Sequence, residues 1–231
     1  MDFNVANCAV VELFGMEIWI TETMVNTWIL MGILIALSVV ARIRFRTYAD
    51  VPKGLQNVLE SAVEAFDGFL RGTGGDQLYY LGGWFFAIFS FIVLSNLSGL
   101  IPILMLRPPT ADWTVTFGMA LGTFFLIQVL ALKYRGVDYL KGFFQPLFVF
   151  FPLNVLGELA RPISLSFRLF GNILSGVILL GLVYGLAPVP ARIVIPSFLH
   201  AYFDFAMGLL QAYIFTVLSI AFIGTTAGTA E

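Results

Sequence analysis

Charge is what this chain has least of. Of its 231 residues only 11% are charged, against 59% hydrophobic, whereas a typical soluble domain carries about 25% charged residues. Too few polar side chains exist to cover a water-facing surface. A soluble globular domain is therefore excluded, and the chain reads as an integral membrane protein in contact with the lipid bilayer. A formal net charge of −2 supplies no basic field for nucleic acid. Cys8 is the only cysteine, which excludes an internal disulfide and a cysteine metal cluster. With a single histidine and no clustered ligands, the sequence points to no metal site and no cofactor. Lys and Arg are missing from the first 23 residues, which hold Asp2, Glu12, Glu17 and Glu22. A secretory signal opens on positive charge, so residues 1–23 read as an outer N-terminal segment of the mature chain.

Long apolar runs are present instead. A spanning helix needs roughly 20 apolar residues, and the sequence predicts five. The first, Met24–Ala41, is stopped by Arg42, Arg44 and Arg46. The second covers Leu78–Leu106, with a break at Asn96-Leu97-Ser98-Gly99-Leu100-Ile101-Pro102, and the third Trp113–Leu132. Gly118 and Gly122 in the third form a small-xxx-small pair that predicts close helix packing. The fourth and fifth, Phe148–Ala187 and Ile193–Gly224, exceed the bilayer and must tilt strongly, break or protrude. Pro152 and Pro162 mark expected bends. Residues 51–71 differ, because Val51, Leu55, Val58, Leu59, Val63, Phe66 and Leu70 recur at helical spacing with Glu60, Glu64 and Asp67 between them. That pattern predicts an amphipathic cytoplasmic-side helix on the membrane surface or against a partner. The fold class is an all-α integral membrane protein: one domain over residues 1–231, five spans, one surface helix, and a long tilted pair over 148–226.

Orientation follows from the positive residues. With the N-terminus outside, Arg42, Arg44, Arg46, Lys53, Arg71, Lys133, Arg135 and Lys141 fall on the cytoplasmic side, while Arg107 and Arg192 fall outside. Five spans then put the C-terminus in the cytoplasm.

Arg168 stands inside the fourth span. Its charge near the bilayer centre is unfavourable by about 2.5–3.5 kcal/mol on insertion scales, so its partner has to be found. Asn172 and Ser175 follow it by four and seven residues and share its face. On the fifth span His200, Asp204, Gly208 and Gln211 form a stripe of the same spacing. By depth, Glu158, Arg161 and Ser164 belong to the cytoplasmic half, and Ser175, His200 and Asp204 to the outer half. An arginine at the middle blocks a continuous cation pore. Two half-channels separated by that barrier fit better, with an acidic carrier, supplied by another chain, taking the ion from one to the other. Static alternatives stay open: Arg168 pairing with Glu158 or Asp204, local neutralisation of Glu158 by Arg161, a structural His200–Asp204 pair, and Asn172 and Gln211 as interhelical hydrogen-bond glue.

Arg161-Pro162-Ile163-Ser164-Leu165-Ser166-Phe167-Arg168-Leu169-Phe170-Gly171-Asn172 resembles the signature of the a subunits of rotary F-type ATP synthases. That signature is K/R-P, a hydrophobic residue, then S-L-x-x-R-L-F-G-N. Leu210–Leu218 is similar to the family's final helix, and Asn96–Pro102 with Pro109-Thr110 matches two further elements. Val51–Gln56 with Glu60 is also similar. The resemblance implies a stator subunit, without enzymatic activity of its own, in a bacterial plasma membrane. Its partners would be the ring of c subunits, the b subunit stalk and the other synthase subunits. Arg168 would be the essential stator arginine, Asn172 its polar neighbour and Gln211 their counterpart on the last helix. The ion would be a proton or sodium. Relatives carry an acidic residue or histidine five positions after the asparagine, where this chain has Val177; the outer path would rely on Asp204 with His200. An independent cation antiporter would need its own carrier acid and internal repeats, and neither is found. An intramembrane hydrolase lacks its motifs. A purely structural scaffold would tolerate loss of Arg168.

Overall fold

The computed structural model describes residues 7–13, 16–44, 54–99, 108–145, 147–186 and 188–227. Five helical segments are long and apolar enough to cross a membrane: Glu22–Arg44, Leu78–Ser98, Trp113–Arg135, Phe148–Leu186 and Val194–Thr226. They coincide with the five expected spans. The described part of the second ends at Ser98, within the break expected at residues 96–102, where the Ser98 hydroxyl donates to the Ser95 carbonyl at 2.7 Å. Residues 100–107, with Ile101-Pro102 and Arg107, lie outside the described residues, as do Arg46 and residues 51–53.

Helix ends follow their local chemistry. Helix α1 (Glu22–Arg44) has Glu22 in its first turn and Arg42 and Arg44 in its last, each charge opposing the nearby end of the helix dipole. Helix α4 (Trp113–Arg135) closes on Lys133 and Arg135 in the same way. At its start the Thr114 amide donates to Asp112 Oδ1 at 2.9 Å. The other oxygen, Oδ2, accepts from Thr23 at 2.8 Å, so one carboxylate caps α4 and ties it to the beginning of α1.

Helix α2 (Leu55–Gly74) is the expected amphipathic helix, with a difference. It runs between Gly54 and Gly75, whose φ values of +61° and +71° lie in the left-handed region that favours glycine. Phe66 and Leu70 pack into this chain's own core with Leu78, Phe85, Ile127 and Ile223. Only its first half, with Leu55, Val58, Leu59 and Val63, keeps an exposed apolar face. A short 3₁₀ turn, Asp76–Leu81, leads into α3 (Gly82–Ser98).

The two long segments are helical throughout. Helix α6 (Phe151–Leu186) has 36 residues, about 54 Å of rise at 1.5 Å per residue. Pro152 sits in its first turn, where a missing N–H costs nothing, and the helix continues through Pro162. Neither proline breaks it. The last run comprises α7 (Val189–His200), a π-helical stretch Ala201–Ala206, and α8 (Met207–Ala227). Between α4 and α6 lies the short α5 (Val137–Gly142).

The N-terminal segment contains an element that the all-α reading did not include. Strands β1 (Asn7–Leu13) and β2 (Met16–Thr21) pair antiparallel, with Val10 opposite Trp19 and Val11 opposite Ile18. These β-branched and aromatic residues favour a pleated surface. Glycines 118 and 122 also depart from expectation: a Cβ at either would meet nothing within 4 Å among the described residues, so their face is open.

The chain forms two compact units: residues 1–35, 90–116 and 166–212, and residues 36–89, 117–165 and 213–231. Each of α1, α3, α4, α6 and the last run gives a stretch to both. The core around Phe66, Leu70 and Ile220 belongs to the second. Leu70 is fully buried and Leu55 is 75% exposed. Leu70→Ala should therefore destabilise the purified chain by about 2–5 kcal/mol in detergent unfolding titrations, and Leu55→Ala by no more than about 0.5 kcal/mol. Equal losses would contradict this core.

Candidate functional site

The hydrophobic periodicity of α6 decides where Arg168 points. Leu165, Leu169 and Ile173 are buried, while Ile163, Phe167, Leu174, Ile178 and Leu182 form an exposed apolar stripe. Arg168 lies on that exposed stripe, with Ser164 and Ser175 exposed on either side of it. Ion pairs among the described residues include Arg71–Asp76, Lys141–Asp138, Arg161–Glu158 and His200–Asp204. None involves Arg168. Ser175 donates to the Gly171 carbonyl of its own helix at 2.7 Å. Asn172 is half-buried, and its Nδ2 is a buried donor without a partner among the described residues. The face around Arg168 thus offers a cation and spare polar groups within an apolar surface.

The first polar cluster belongs to the same unit as Arg168. His200 ends α7 and Asp204 lies within the π stretch, their Nδ1 and Oδ2 atoms 2.6 Å apart. The π stretch alters the expected stripe. Its i→i+5 bonding widens the turn, so His200, Asp204, Gly208 and Gln211 do not follow one straight α-helical line. Gly208 serves close packing: its carbonyl accepts from Asn96 Nδ2 at 3.0 Å, and an added Cβ would come within 2.8 Å of the Asn96 Cβ. Asn96 Oδ1 accepts from Thr110 Oγ1 at 2.8 Å, and Ser95 Oγ accepts from the Thr110 amide at 3.1 Å. A Cβ at Gly99 would lie 3.7 Å from Asp204 Oδ2, which sets that carboxylate beside the end of α3. Gln211 is buried. At Gly176 an added Cβ would sit 3.1 Å from Phe203, so α6 and the last run touch closely here.

Sequence reading missed Ser95, Asn96 and Thr110 as site residues. Their signal was available, since Asn96 and Thr110 stand in the two short motifs around the loop after α3. A pattern of polar residues at a helix end does not reveal which carbonyl they reach.

The second cluster belongs to the other unit. Arg161 pairs with Glu158, Nη1 lying 2.8 Å from Oε1 and 3.0 Å from Oε2. The same nitrogen donates to Thr226 Oγ1 at 2.9 Å, and the guanidinium lies 5.0 Å from the Phe222 ring centre. Glu158 also faces a cleft of about 430 Å³ shared with Phe124, Gln128, Leu140, Phe144 and Phe151. Ser164 is exposed and joins no contact of this cluster. Glu158 pairs with Arg161 and Asp204 with His200, and neither ion pair includes Arg168. No group of three His, Cys, Asp or Glu arranged to hold a metal occurs among the described residues.

Comparison with known proteins gives the family of the chain. Residues 24–224 match the family described as ATP synthase A chain. ATP synthase subunit a of Moorella thermoacetica is 36% identical, over 92% of this chain and 94% of its own. ATP synthase subunit a 2 of a Bradyrhizobium species is 37% identical, over 91% and 90%. A protein of Propionigenium modestum named ATP synthase subunit a, sodium ion specific, is 34% identical, over 92% and 76%. With similarity along most of its length, five membrane-length helices, and the Arg161-to-Asn172 motif carried on the longest of them, the chain belongs to the ATP synthase subunit a family.

Proposed function

We propose that the chain is the stator subunit of the synthase membrane sector, supplying two offset half-channels that load and unload carboxylates on a rotating c-ring. One observation carries this reading. Arg168 lies exposed on an apolar stripe, and the two carboxylates of the long helices are held elsewhere. A guanidinium in hydrocarbon needs an anion, so its counter-charge comes from outside the chain. A ring that presents one carboxylate after another provides that anion and takes it away again. The same charge repels cations, which blocks the direct route between the paths.

In the synthesis direction a proton enters from outside past Asn96, Asp204, His200 and Ser175 and neutralises a ring carboxylate. The neutral acid can then face lipid, where an ionised one is strongly disfavoured. After rotation the next loaded site meets Arg168, gives up its proton, and the proton leaves past Ser164 and Glu158. Asn172 and Gln211 flank the exchange point. One charge crossing ~100 mV releases ~2.3 kcal/mol, so several protons serve each nucleotide. The N-terminus is placed outside and the C-terminus in the cytoplasm of a bacterial plasma membrane, with the b stalk and other synthase subunits as further partners.

The contact of 2.6 Å between His200 and Asp204 suits a proton, which passes along such a bond. A metal cation would have to part the two groups. The Propionigenium relative, named sodium ion specific, supports sodium as the second reading. Hydrolysis by the assembled complex separates them: stimulation by sodium at alkaline pH supports sodium, and sodium-independent activity across pH supports protons.

Arg168→Ala should abolish ATP-driven pumping in proteoliposomes while leaving a passive leak, and Arg168→Lys should impair it, since an ammonium lacks the planar fork. Coupled pumping retained in Arg168→Ala contradicts the gate. Asp204→Asn should lower the pumping rate by about a hundredfold, the low end of what a positioned proton-transfer group contributes. An unchanged rate in that variant removes Asp204 from the path.

A further inference from the structure

Two polar side chains near the proposed inner path have no role so far. Gln128 interrupts the apolar run of α4, and Tyr139 on α5 is 7% exposed. Neither belongs to the Arg168 motif. Tyr139 Oη donates to Gln128 Oε1 at 2.7 Å. The other end of that amide, Nε2, is buried with no hydrogen-bond partner among the described residues. Gln128 and Glu158 line the same cleft, so the orphaned donor and the carboxylate share one cavity. Arg161 occupies the carboxylate from its own helix.

Donor and acceptor chemistry fixes the arrangement. An ionised carboxylate only accepts, so in the shared cleft it can use the N–H groups of the amide and not its oxygen. The amide oxygen, also an acceptor only, is then left for Tyr139, whose hydroxyl must donate. Burial, and after it the Glu158 charge, push the Tyr139 hydroxyl above its ordinary value. It therefore keeps its proton. With the amide held in this sense, a protonated Glu158 finds no acceptor on it, while an ionised Glu158 finds a donor.

We propose that Tyr139 and Gln128 are positioning residues of the inner half-channel: the Tyr139 hydroxyl locks the Gln128 amide with Nε2 towards Glu158, favouring the carboxylate that has just released its proton. The proton goes to cytoplasmic water, and neither Gln128 nor Tyr139 gains or loses one. The inference rests on Glu158 lining that path. The other groups around Glu158 are Arg161 on α6 and Thr226 on α8, which meets Arg161 rather than the acid. Arg135 acts on Tyr139.

The assembled synthase in proteoliposomes tests this through the rate of gradient-driven ATP synthesis against cytoplasmic-side pH. Without the amide donor the ionised acid is less favoured, so release needs a higher pH. Tyr139→Phe and Gln128→Leu should each move the midpoint of the rising limb upward by about one pH unit, the scale of one hydrogen bond to a charged group. The double variant should move it no further than Gln128→Leu alone, since the lock then holds nothing. A rate lowered evenly at all pH, with the midpoint unmoved, means packing only and overturns the proposal. Tyr139→Phe removes a single oxygen and carries the test if Gln128→Leu fails to assemble. Glu158→Gln distinguishes the two layers. If it leaves synthesis intact, Glu158 is off the path and both the inner path and this inference fall. If it impairs synthesis while the midpoints of the other variants stay put, only the positioning role falls.

Discussion

The arrangement turns on one uncompensated charge. Arg168 is presented on an outward apolar stripe of α6, in a segment where hydrocarbon makes a lone guanidinium unfavourable by several kcal/mol. The chain could have quenched it, because acids occur on both long helices. Instead Glu158 faces Arg161 and Asp204 faces His200. Each acid is occupied locally, by a residue three or four positions along its own run. Local pairing of this kind is easy to satisfy, since helical geometry brings such neighbours together.

The two clusters differ in chemistry. Around Asp204 the groups are an imidazole and a hydroxyl and amide network through Asn96, Thr110 and Ser95. Such groups both donate and accept, which suits passage of a proton. Around Glu158 a fixed cation dominates, and it is itself anchored to Thr226. The path proposed for synthesis thus enters through groups that both donate and accept and leaves beside a fixed ion pair.

Much of the fold was legible in the sequence because a bilayer leaves few options. Long apolar runs must be helices, since unsatisfied backbone groups have no water to turn to, and the five spans follow from that. Pro162 does not end its helix, because neighbouring groups can absorb the loss of one backbone hydrogen bond. Arg168, Asn172 and Asp204 were visible as polar residues in apolar sequence. Asn96 and Thr110 stood in recognisable motifs, but their partners, like that of Tyr139, were not legible, because these contacts span 11 to 112 residues of separation. The β-hairpin escaped because seven- and six-residue strands are too short for a periodicity to stand out beside strong helical signals.

The π-helical stretch Ala201–Ala206 works as a phase adjuster. Because its turn is wider than an α turn, the azimuth of Gln211 is set independently of the azimuth of His200. A substitution that tightened this stretch into ordinary α geometry would rotate everything on one side of it against everything on the other. The upstream and downstream halves of the last run are thus separately tunable, although they share one backbone.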